Sequence, residues 1–242
     1  PVEVESEFDV GKGRRKAIFI AFPQAVPLVA TIDPRKCIGC RLCELACEFE
    51  AVDFYEKDKV FDVNVGAIIV ATGFKLFDAS KEPKYGYGKF KEVLTALEFE
   101  RLSNALGPTG GKIIVNGKEP KRVVFISCVG SRSEERPYCS RICCMYIMKQ
   151  AHLIKEKIPD AKITVLYTDV RAYGDGFEEF YQRVRAEGVS YLRRELEDEI
   201  EVRRGERGGV VVCARGSSYS YEIPADLVVL ATAVEPSEGT RE

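Results

Sequence analysis

The sequence predicts an α/β protein built on a mostly parallel sheet, and two observations carry this prediction. From Lys121 onward, short apolar runs alternate with longer amphipathic stretches, which is typical of strands joined by crossover helices. The run from Leu227 to Thr232 is apolar almost throughout, as in a strand buried on both faces. We expect strands at 123–127, 163–168 and 226–232, and helices at about 138–157 and 177–186.

The other segments give weaker patterns. Residues 1–30 contain short apolar stretches between glycines and prolines, which predicts loops or a weak hairpin. We further expect a short hairpin at 51–62, a buried strand at 63–70, an amphipathic helix around 92–106 and a meander of short strands at 189–223. The strand at 63–70 runs into Ala71-Thr72-Gly73, and the last strand runs into the similar Ala231-Thr232-Ala233.

Charge and hydropathy exclude several classes of partner. Lys and Arg number 36 and Asp and Glu 38, so the formal net charge is -2, which gives no long-range attraction to nucleic acid or to an anionic membrane. No apolar run approaches the ~20 residues of a membrane-spanning helix, and no secretion leader is recognisable. We expect a soluble cytoplasmic protein. Because the chain opens on Pro1 and stops soon after a strand-like run, we also expect a fragment.

The nine cysteines fall into two groups of four and one isolated residue. The first group, Cys37, Cys40, Cys43 and Cys47, has the spacing Cys-x2-Cys-x2-Cys-x3-Cys, which lets one turning segment present thiolates to the corners of a [4Fe–4S] cluster. Structural zinc is the alternative, although zinc sites usually separate two Cys-x2-Cys pairs by a dozen or more residues. This group therefore predicts a cluster of the ferredoxin kind.

Two details of the first group leave its ligation open. In two-cluster ferredoxins the fourth cysteine of such a run binds the partner cluster, and a proline normally follows it. Glu48 stands in that place here. Cys47 is therefore a ligand either of the Cys37 cluster or of another one.

The second group, Cys128, Cys139, Cys143 and Cys144, matches no common cluster or zinc spacing. Its position favours a metal site, because Cys128 ends a strand where a dinucleotide-binding fold carries its glycine-rich phosphate loop. We expect Cys139 and Cys143 on one face of the following helix, at i and i+4. The alternative is three buried structural thiols with one further cysteine nearby by chance. We assign no role to Cys213, and we expect the single histidine, His152, to pack or lie at the surface.

Several longer motifs resemble one known family. They are Phe22-Pro23-Gln24-Ala25-Val26-Pro27, Gly107-Pro108-Thr109-Gly110-Gly111, Cys128-Val129-Gly130-Ser131-Arg132 and Tyr138-Cys139-Ser140-Arg141-Ile142-Cys143-Cys144-Met145-Tyr146. With the two Ala-Thr tripeptides, they make the chain similar to the A subunit of heterodisulfide reductase, which is an FAD and iron–sulfur protein of methanogens and related organisms.

This resemblance implies a fold and a division into domains. The fold would be that of a flavoprotein of the disulfide-reductase kind, with two dinucleotide-binding domains and a partial ferredoxin-like insert. Residues 1–60 would be the insert, 61–120 part of the FAD-binding domain, and 121–242 an NAD(P)-binding-like domain that carries the second cysteine group. Ala71, Thr72 and Gly73, together with Ala231 and Thr232, would contact FAD.

The resemblance also implies a function. FAD would receive electron pairs from a hydrogenase or formate dehydrogenase and pass single electrons through at least two [4Fe–4S] clusters. One electron would go to ferredoxin and the other to the disulfide-reducing B and C subunits of a hetero-oligomer, in flavin-based electron bifurcation serving methanogenesis. Lys149 lies five residues beyond Cys144, about 7.5 Å along a helix, so we expect it to tune the flavin; an ordinary solvated lysine is the alternative.

Two other classes of protein compete with this interpretation. One is an NAD(P)H-dependent FAD oxidoreductase with a ferredoxin insert, like the small subunit of glutamate synthase. In such an enzyme Asp169 could bind a ribose hydroxyl, although we expect a capping or turn role for this residue. The strand at 123–127 is not followed by the glycine-rich loop that such an enzyme needs. The other is a structural protein in which both cysteine groups bind zinc.

Overall fold

A computed structural model describes residues 3–206 and 208–240. The chain forms two compact units, one up to Thr72 and one from Gly73 onward. The domain boundaries expected from the sequence, at 60 and 120, concern cofactor-binding regions rather than compactness and stay a prediction.

The first unit contains short elements only. Strands β1 (Glu3–Glu5) and β2 (Arg14–Lys16) form an antiparallel hairpin, β3 (Ile18–Phe19) pairs with β4 (Thr31–Ile32), and α1 spans Leu42–Leu45. Arg15 joins the hairpin to the second pair, because its guanidinium binds the carboxylates of Glu7 and Asp33 at 2.5 and 2.9 Å. The hydrogen bond from Arg15 lowers the pKa of Glu7 to about 2.

Two expectations for this unit are wrong. Residues 51–62 form no hairpin, and residues 63–70 form no strand. The apolar side chains of the second segment are exposed, with Ile69 at 92%. A strand that is buried on both faces requires neighbours in its own sheet and covering layers, and this unit supplies neither within its described residues.

The second unit is built on a five-stranded parallel sheet, so the predicted α/β class is confirmed. Its strands are β6 (Val93–Thr95), β7 (Arg122–Val129), β8 (Lys162–Tyr167), β9 (Ser190–Arg193) and β13 (Leu227–Thr232), in the spatial order β6-β13-β7-β8-β9. The last of these strands along the chain is thus inserted next to the first. We expected the sheet to begin at about residue 121. Its first strand along the chain is instead β6, which lies before that residue and pairs with β13.

Other elements cover the two faces of this sheet. Helices α2 (Ala96–Ser103), α3 (Cys143–Lys157) and α4 (Phe177–Ala186) lie on one face, and an antiparallel meander of β10 (Glu199–Arg204), β11 (Val210–Arg215) and β12 (Ser220–Ala225) lies on the other. Strands β5 (Phe74–Leu76) and β14 (Val234–Pro236) form a small antiparallel pair. The sheet therefore separates two hydrophobic cores. Side chains of β7 point alternately into each of them, so Phe125 packs against the helices and Ile126 against the meander.

Helix boundaries differ from the predictions for local reasons. The helix expected at 92–106 begins at Ala96, where Thr95 and Glu98 form a reciprocal capping box, and residues 93–95 are a strand instead. The helix expected from 138 begins only at Cys143, because Arg141 has a left-handed backbone with φ 68°. Cys139 is therefore in the preceding loop, and the expected i, i+4 placement on one helix is wrong.

In the described ranges, we find no helix of the length and hydropathy that crossing a membrane requires.

Candidate metal centres and the adjoining cavity

The first cysteine group lies on one turning segment around α1. Gly39 and Arg41 both adopt left-handed conformations, with φ of 67° and 57°, and so reverse the chain twice between Cys37 and Cys43. Backbone amides point at the sulfurs: Gly39 N lies 3.4 Å from Cys37 Sγ, and Ala51 N lies 3.3 Å from the Sγ of the fourth cysteine, Cys47. Hydrogen bonds of this kind stabilise cluster thiolates, so the local backbone suits the predicted cluster.

The second cysteine group gathers where the parallel sheet meets α3. Cys128 lies in β7 one residue before its end, Cys139 lies in the long loop that follows, and Cys143 and Cys144 begin the helix. The pKa of Cys143 is raised to about 11, chiefly by burial and also by the neighbouring sulfurs of Cys128, Cys144 and Cys139. This mutual electrostatic influence shows that the structure brings the four thiols into one neighbourhood.

Neither cysteine group has the geometry of a site for a single ion. Within residues 3–206 and 208–240, no three His, Cys, Asp or Glu side chains converge closely enough to hold one metal ion. A cubane places its four ligands on separate iron atoms, so its cysteines are further apart than those around one zinc ion. Four neighbouring thiols and the amide of Arg141, 3.3 Å from Cys139 Sγ, fit the donor set of a cluster.

Backbone strain accompanies the second group. Cys128, Gly130, Arg132 and Arg141 all have positive φ values, between 58° and 75°. A side chain at Gly130 would meet the ring of Phe77 at 2.2 Å, so only glycine fits there. Non-glycine residues in this conformation are uncommon and cluster at functional sites. Their number in this loop therefore favours a functional role for it.

Asp169 belongs to this thiol neighbourhood rather than to a nucleotide site. Its carboxylate binds Arg132 at 2.6 Å and Arg171 at 3.4 Å, and its carbonyl lies 3.7 Å from Cys144 Sγ. Arg132 also lies near the side chain of Cys128. Because both carboxylate oxygens pair with arginines beside the thiols, a structural role for Asp169 is favoured over the ribose contact of the NAD(P)H interpretation.

A cavity of about 280 Å³ adjoins the second cysteine group. Residues of β5, α2, α3, β13 and β14 line it, and they are predominantly apolar. Its polar wall contains Glu100, Lys149 and Gln150, together with Thr232 at the end of β13. Cys143 Sγ lies 4.0 Å from the Thr232 carbonyl, so one residue connects the thiols to the cavity.

Two buried polar atoms of the cavity wall lack partners. Thr232 Oγ1 and Gln150 Oε1 are inaccessible to solvent and accept or donate no hydrogen bond among the described residues. An unpaired buried polar atom is costly, but neither atom is open to the cavity, because solvent does not reach it. A largely apolar cavity with a few polar groups is the usual form of a cofactor site, and the residues present fit an edge of a flavin.

The structure places the other candidate residues as follows. Lys149 lies on the cavity wall and pairs with Glu100. Ala231 is fully buried beside Thr232. Ala71 and Thr72 are exposed at the end of the first unit, and Gly73, with φ 74°, opens the second; their flavin role stays a prediction.

Cys213 and His152, for which the sequence predicts no functional role, have structural contacts. Cys213 is 3% exposed in β11, and His152 pairs with Glu187 at 2.8 Å and packs edge-on against Phe180.

Sequence reasoning missed Glu100, Gln150 and Tyr146 as cavity residues. Tyr146 follows Cys143 by three residues and so shares its helix face, a signal that was readable in the sequence. Glu100 gave no such signal, because only the packing of α2 against α3 brings it to Lys149.

Comparison with known proteins agrees with this geometry. A family model described as a 4Fe-4S binding domain matches residues 30–53. The A subunit of the H(2):CoB-CoM heterodisulfide,ferredoxin reductase of Methanothermobacter thermautotrophicus is 46% identical over 100% of this chain and 37% of its own length. One iron-sulfur A subunit of the CoB-CoM heterodisulfide reductase of Methanopyrus kandleri is 49% identical over 99% of this chain and 37% of its own length.

The chain thus spans little more than a third of these relatives. Among solved structures, thioredoxin reductase of T. acidophilum aligns with 67% of this chain and 42% of its own, at 12% identity and a TM-score of 0.36, which is too weak to bear on the fold. Identity of 44–49% to several such subunits along virtually the entire chain is decisive. Over the segment that it spans, the chain belongs to the family of heterodisulfide reductase A subunits.

Proposed function

We propose that this chain is the electron-transfer core of an iron–sulfur flavoprotein of the heterodisulfide reductase type. The observation that carries the proposal is the approach of Cys143, a member of the Cys128 group, to Thr232 in the wall of a cavity that Lys149 also lines. Bound FAD supplies two-electron chemistry and the clusters supply one-electron steps. A cluster site beside a cavity that fits a flavin edge suits the exchange between them.

Each group of residues has a distinct task in this proposal. Cys128, Cys139, Cys143 and Cys144 hold one [4Fe–4S] cluster, and Cys37, Cys40 and Cys43 hold a second, with Cys47 reaching another centre. Ala231 and Thr232 place β13 beside the flavin edge, and Gln150 lines the same cavity. Lys149 stabilises negative charge on the reduced cofactor.

The names of the relatives suggest the proteins with which the whole protein would exchange electrons. Those names include H(2), formate, F(420)H(2) and ferredoxin as reactants, and all are subunits of larger reductases. We propose that the whole protein works in the cytoplasm with B- and C-type subunits, a hydrogenase or formate dehydrogenase, and ferredoxin. It would receive electron pairs and bifurcate them, as the family resemblance implies.

The test is the metal and flavin content of the complete protein, purified without oxygen. We expect a brown protein with broad absorption near ~400 nm, as thiolate-bound iron clusters give, together with stoichiometric FAD. A colourless protein that contains zinc instead would refute the proposal. Reduction of the bound flavin by NADPH alone would favour the NAD(P)H oxidoreductase, which the occupied Asp169 carboxylate argues against.

A further inference from the structure

Strand β7 changes its register against β13 just where Cys128 lies. Leu230 of β13 is opposite Ile126. Two residues further along β13, Thr232 is opposite Val129, which is three residues further along β7. The strand β7 therefore carries one extra residue, which is a β-bulge. The left-handed backbone of Cys128, with φ 61°, is part of this bulge.

The bulge decides which face of the sheet receives the Cys128 side chain. Side chains of a regular strand alternate between the two faces, so an unbroken β7 would aim Cys128 at the meander, as it does Ile126. Val129 would then face the helices. It packs in the meander core instead, so the alternation has shifted by one residue. Cys128 is thereby turned to the helix side, where Cys143 lies.

Arg194 holds the peptide group at the centre of this bulge. It follows β9, and its backbone amide donates to the Tyr167 carbonyl at the end of β8, at 2.8 Å. From there, Nη2 of its side chain donates to the Ser127 carbonyl at 2.9 Å. This carbonyl shares a peptide group with the amide of Cys128. The guanidinium therefore fixes the peptide that sets the direction of the cysteine.

The burial of Arg194 supports such a role. The residue is only 4% exposed, and its side chain bonds two carbonyls, those of Ser127 and of its neighbour Glu195 at 3.1 Å, rather than a carboxylate. Among the described residues, its Nε has no partner. Burying a charged group without a counter-charge is costly. Since Glu195 adjoins Arg194 in the chain, the side-chain bond that reaches another element is the one to Ser127.

We propose that Arg194 is a positioning residue for Cys128, because it holds the Ser127 peptide in the bulged form and so keeps the Cys128 sulfur with the other three cysteines. This inference rests on the proposed function. Without the guanidinium, the bulge is free to relax into a regular strand, which turns Cys128 towards the meander. The donor set then has three thiols instead of four.

Arg204 provides the control. It also joins the meander to the sheet, because its Nη1 donates to the Glu92 carboxylate at 2.9 Å and to the Gly209 carbonyl at 3.3 Å. Glu92 immediately precedes β6, at the opposite end of the parallel sheet from the bulge. Removing this side chain breaks a link of the same kind without touching the Ser127 peptide.

The experiment compares Arg194→Met and Arg204→Met in the complete protein, purified without oxygen. The rate at which a ferrous chelator removes iron from the Cys128 group should rise at least about tenfold in Arg194→Met and stay within about twofold in Arg204→Met, since loss of a residue that orients a ligand typically weakens metal binding by this factor or more. The electron paramagnetic resonance spectrum of this group should also change its shape in Arg194→Met, because one ligand is displaced. Loss of stability alone would lower the amount of signal and leave its shape.

Arg194→Lys covers the case in which the methionine variant does not fold. Lysine keeps the buried charge but lacks the forked donors that reach two carbonyls, so the rate of iron loss should still rise, though less than with methionine. An unchanged rate in the lysine variant, an unchanged spectral shape in Arg194→Met, or equal rates in the two methionine variants would overturn the inference alone. A wild-type protein that holds no cluster at the four cysteines would overturn the proposed function as well.

Discussion

The ammonium group of Lys149 on α3 and the carboxylate of Glu100 on α2 form an ion pair on the wall of the cavity. The other Glu100 oxygen accepts a hydrogen bond from Gln150 Nε2 at 3.2 Å, which also donates to the Ala96 carbonyl at 2.9 Å. The positive charge expected to tune a flavin is therefore partly offset by its partner. Both residues would then contribute to the potential of a flavin bound in this cavity.

Replacing Lys149 by methionine should lower the midpoint potential of the bound flavin. The substitution removes the cation that stabilises negative charge on the reduced cofactor, while the side chain keeps its length. We expect a shift of more than about 30 mV, or about 1.4 kcal/mol for a two-electron couple, in titrations of the complete protein. Lys155→Met on the same helix is the control, because Lys155 instead binds the Ala161 carbonyl at 2.8 Å. A smaller shift than this, or one that Lys155→Met matches, would reject the role.

Replacing Glu100 by glutamine should shift the flavin potential in the opposite direction. Without the carboxylate, the charge of Lys149 is no longer offset, and the reduced cofactor gains stability. Glutamine keeps the size and hydrogen-bonding capacity of the side chain. The same redox titration measures the effect, and a fall in potential would show that Glu100 does not act through Lys149.

Replacing Cys47 by serine should damage the partner cluster selectively. In two-cluster ferredoxins, the fourth cysteine of such a run binds the other cluster, and here Cys47 follows α1 while Cys43 lies within it. Electron paramagnetic resonance of the complete protein separates the cluster signals. Loss of the Cys37-centred signal alone would show that Cys47 belongs to that cluster.

Replacing Cys128 by serine should remove one cluster, whereas Cys213→Ser should not. Both thiols lie in strands, Cys128 in β7 and Cys213 in β11, but only Cys128 belongs to a group of four cysteines. Iron analysis should show a loss of about four atoms per chain, the content of one cubane. An equal iron content in the two variants would place the cluster elsewhere.

Replacing Asp226 by asparagine should destabilise the parallel sheet in a pH-dependent way. The carboxylate accepts hydrogen bonds from the Arg122 side chain at 2.5 Å and from the backbone amides of Arg122 and Lys121 at 2.9 and 3.1 Å. These bonds, that from the Arg122 side chain most of all, lower the pKa of Asp226 below its ordinary value of 3.8. The stabilisation is complete above that value and is lost as the pH falls through the lowered pKa.

We expect a loss of about 1 kcal/mol at neutral pH, because the pair is partly exposed. Hydrogen exchange of β7 and β13 in the complete protein measures it, with Asp160→Asn, at the exposed partner of Lys121, as the control. A difference between Asp226→Asn and wild type that persists unchanged into acid would show that the carboxylate charge is not responsible.

The sequence by itself determined the alternating strands and helices of the second unit, the family, and the two groups of cysteines. These features are local, because hydrophobic periodicity, cysteine spacing and short motifs depend only on residues that are close together in the sequence. The helix at 177–186 was predicted to the residue, because its amphipathic pattern and flanking glycines act within a few turns.

The tertiary structure alone decided what the cysteines adjoin. The order β6-β13-β7 brings Thr232 beside Cys143 although the two are 89 positions apart, and the packing of α2 on α3 brings Glu100 to Lys149 across 49 positions. No local pattern encodes such pairs. The same dependence on distant neighbours explains why the strand predicted at 63–70 does not form. An apolar run becomes a buried strand only where other strands pair with it and helices cover it.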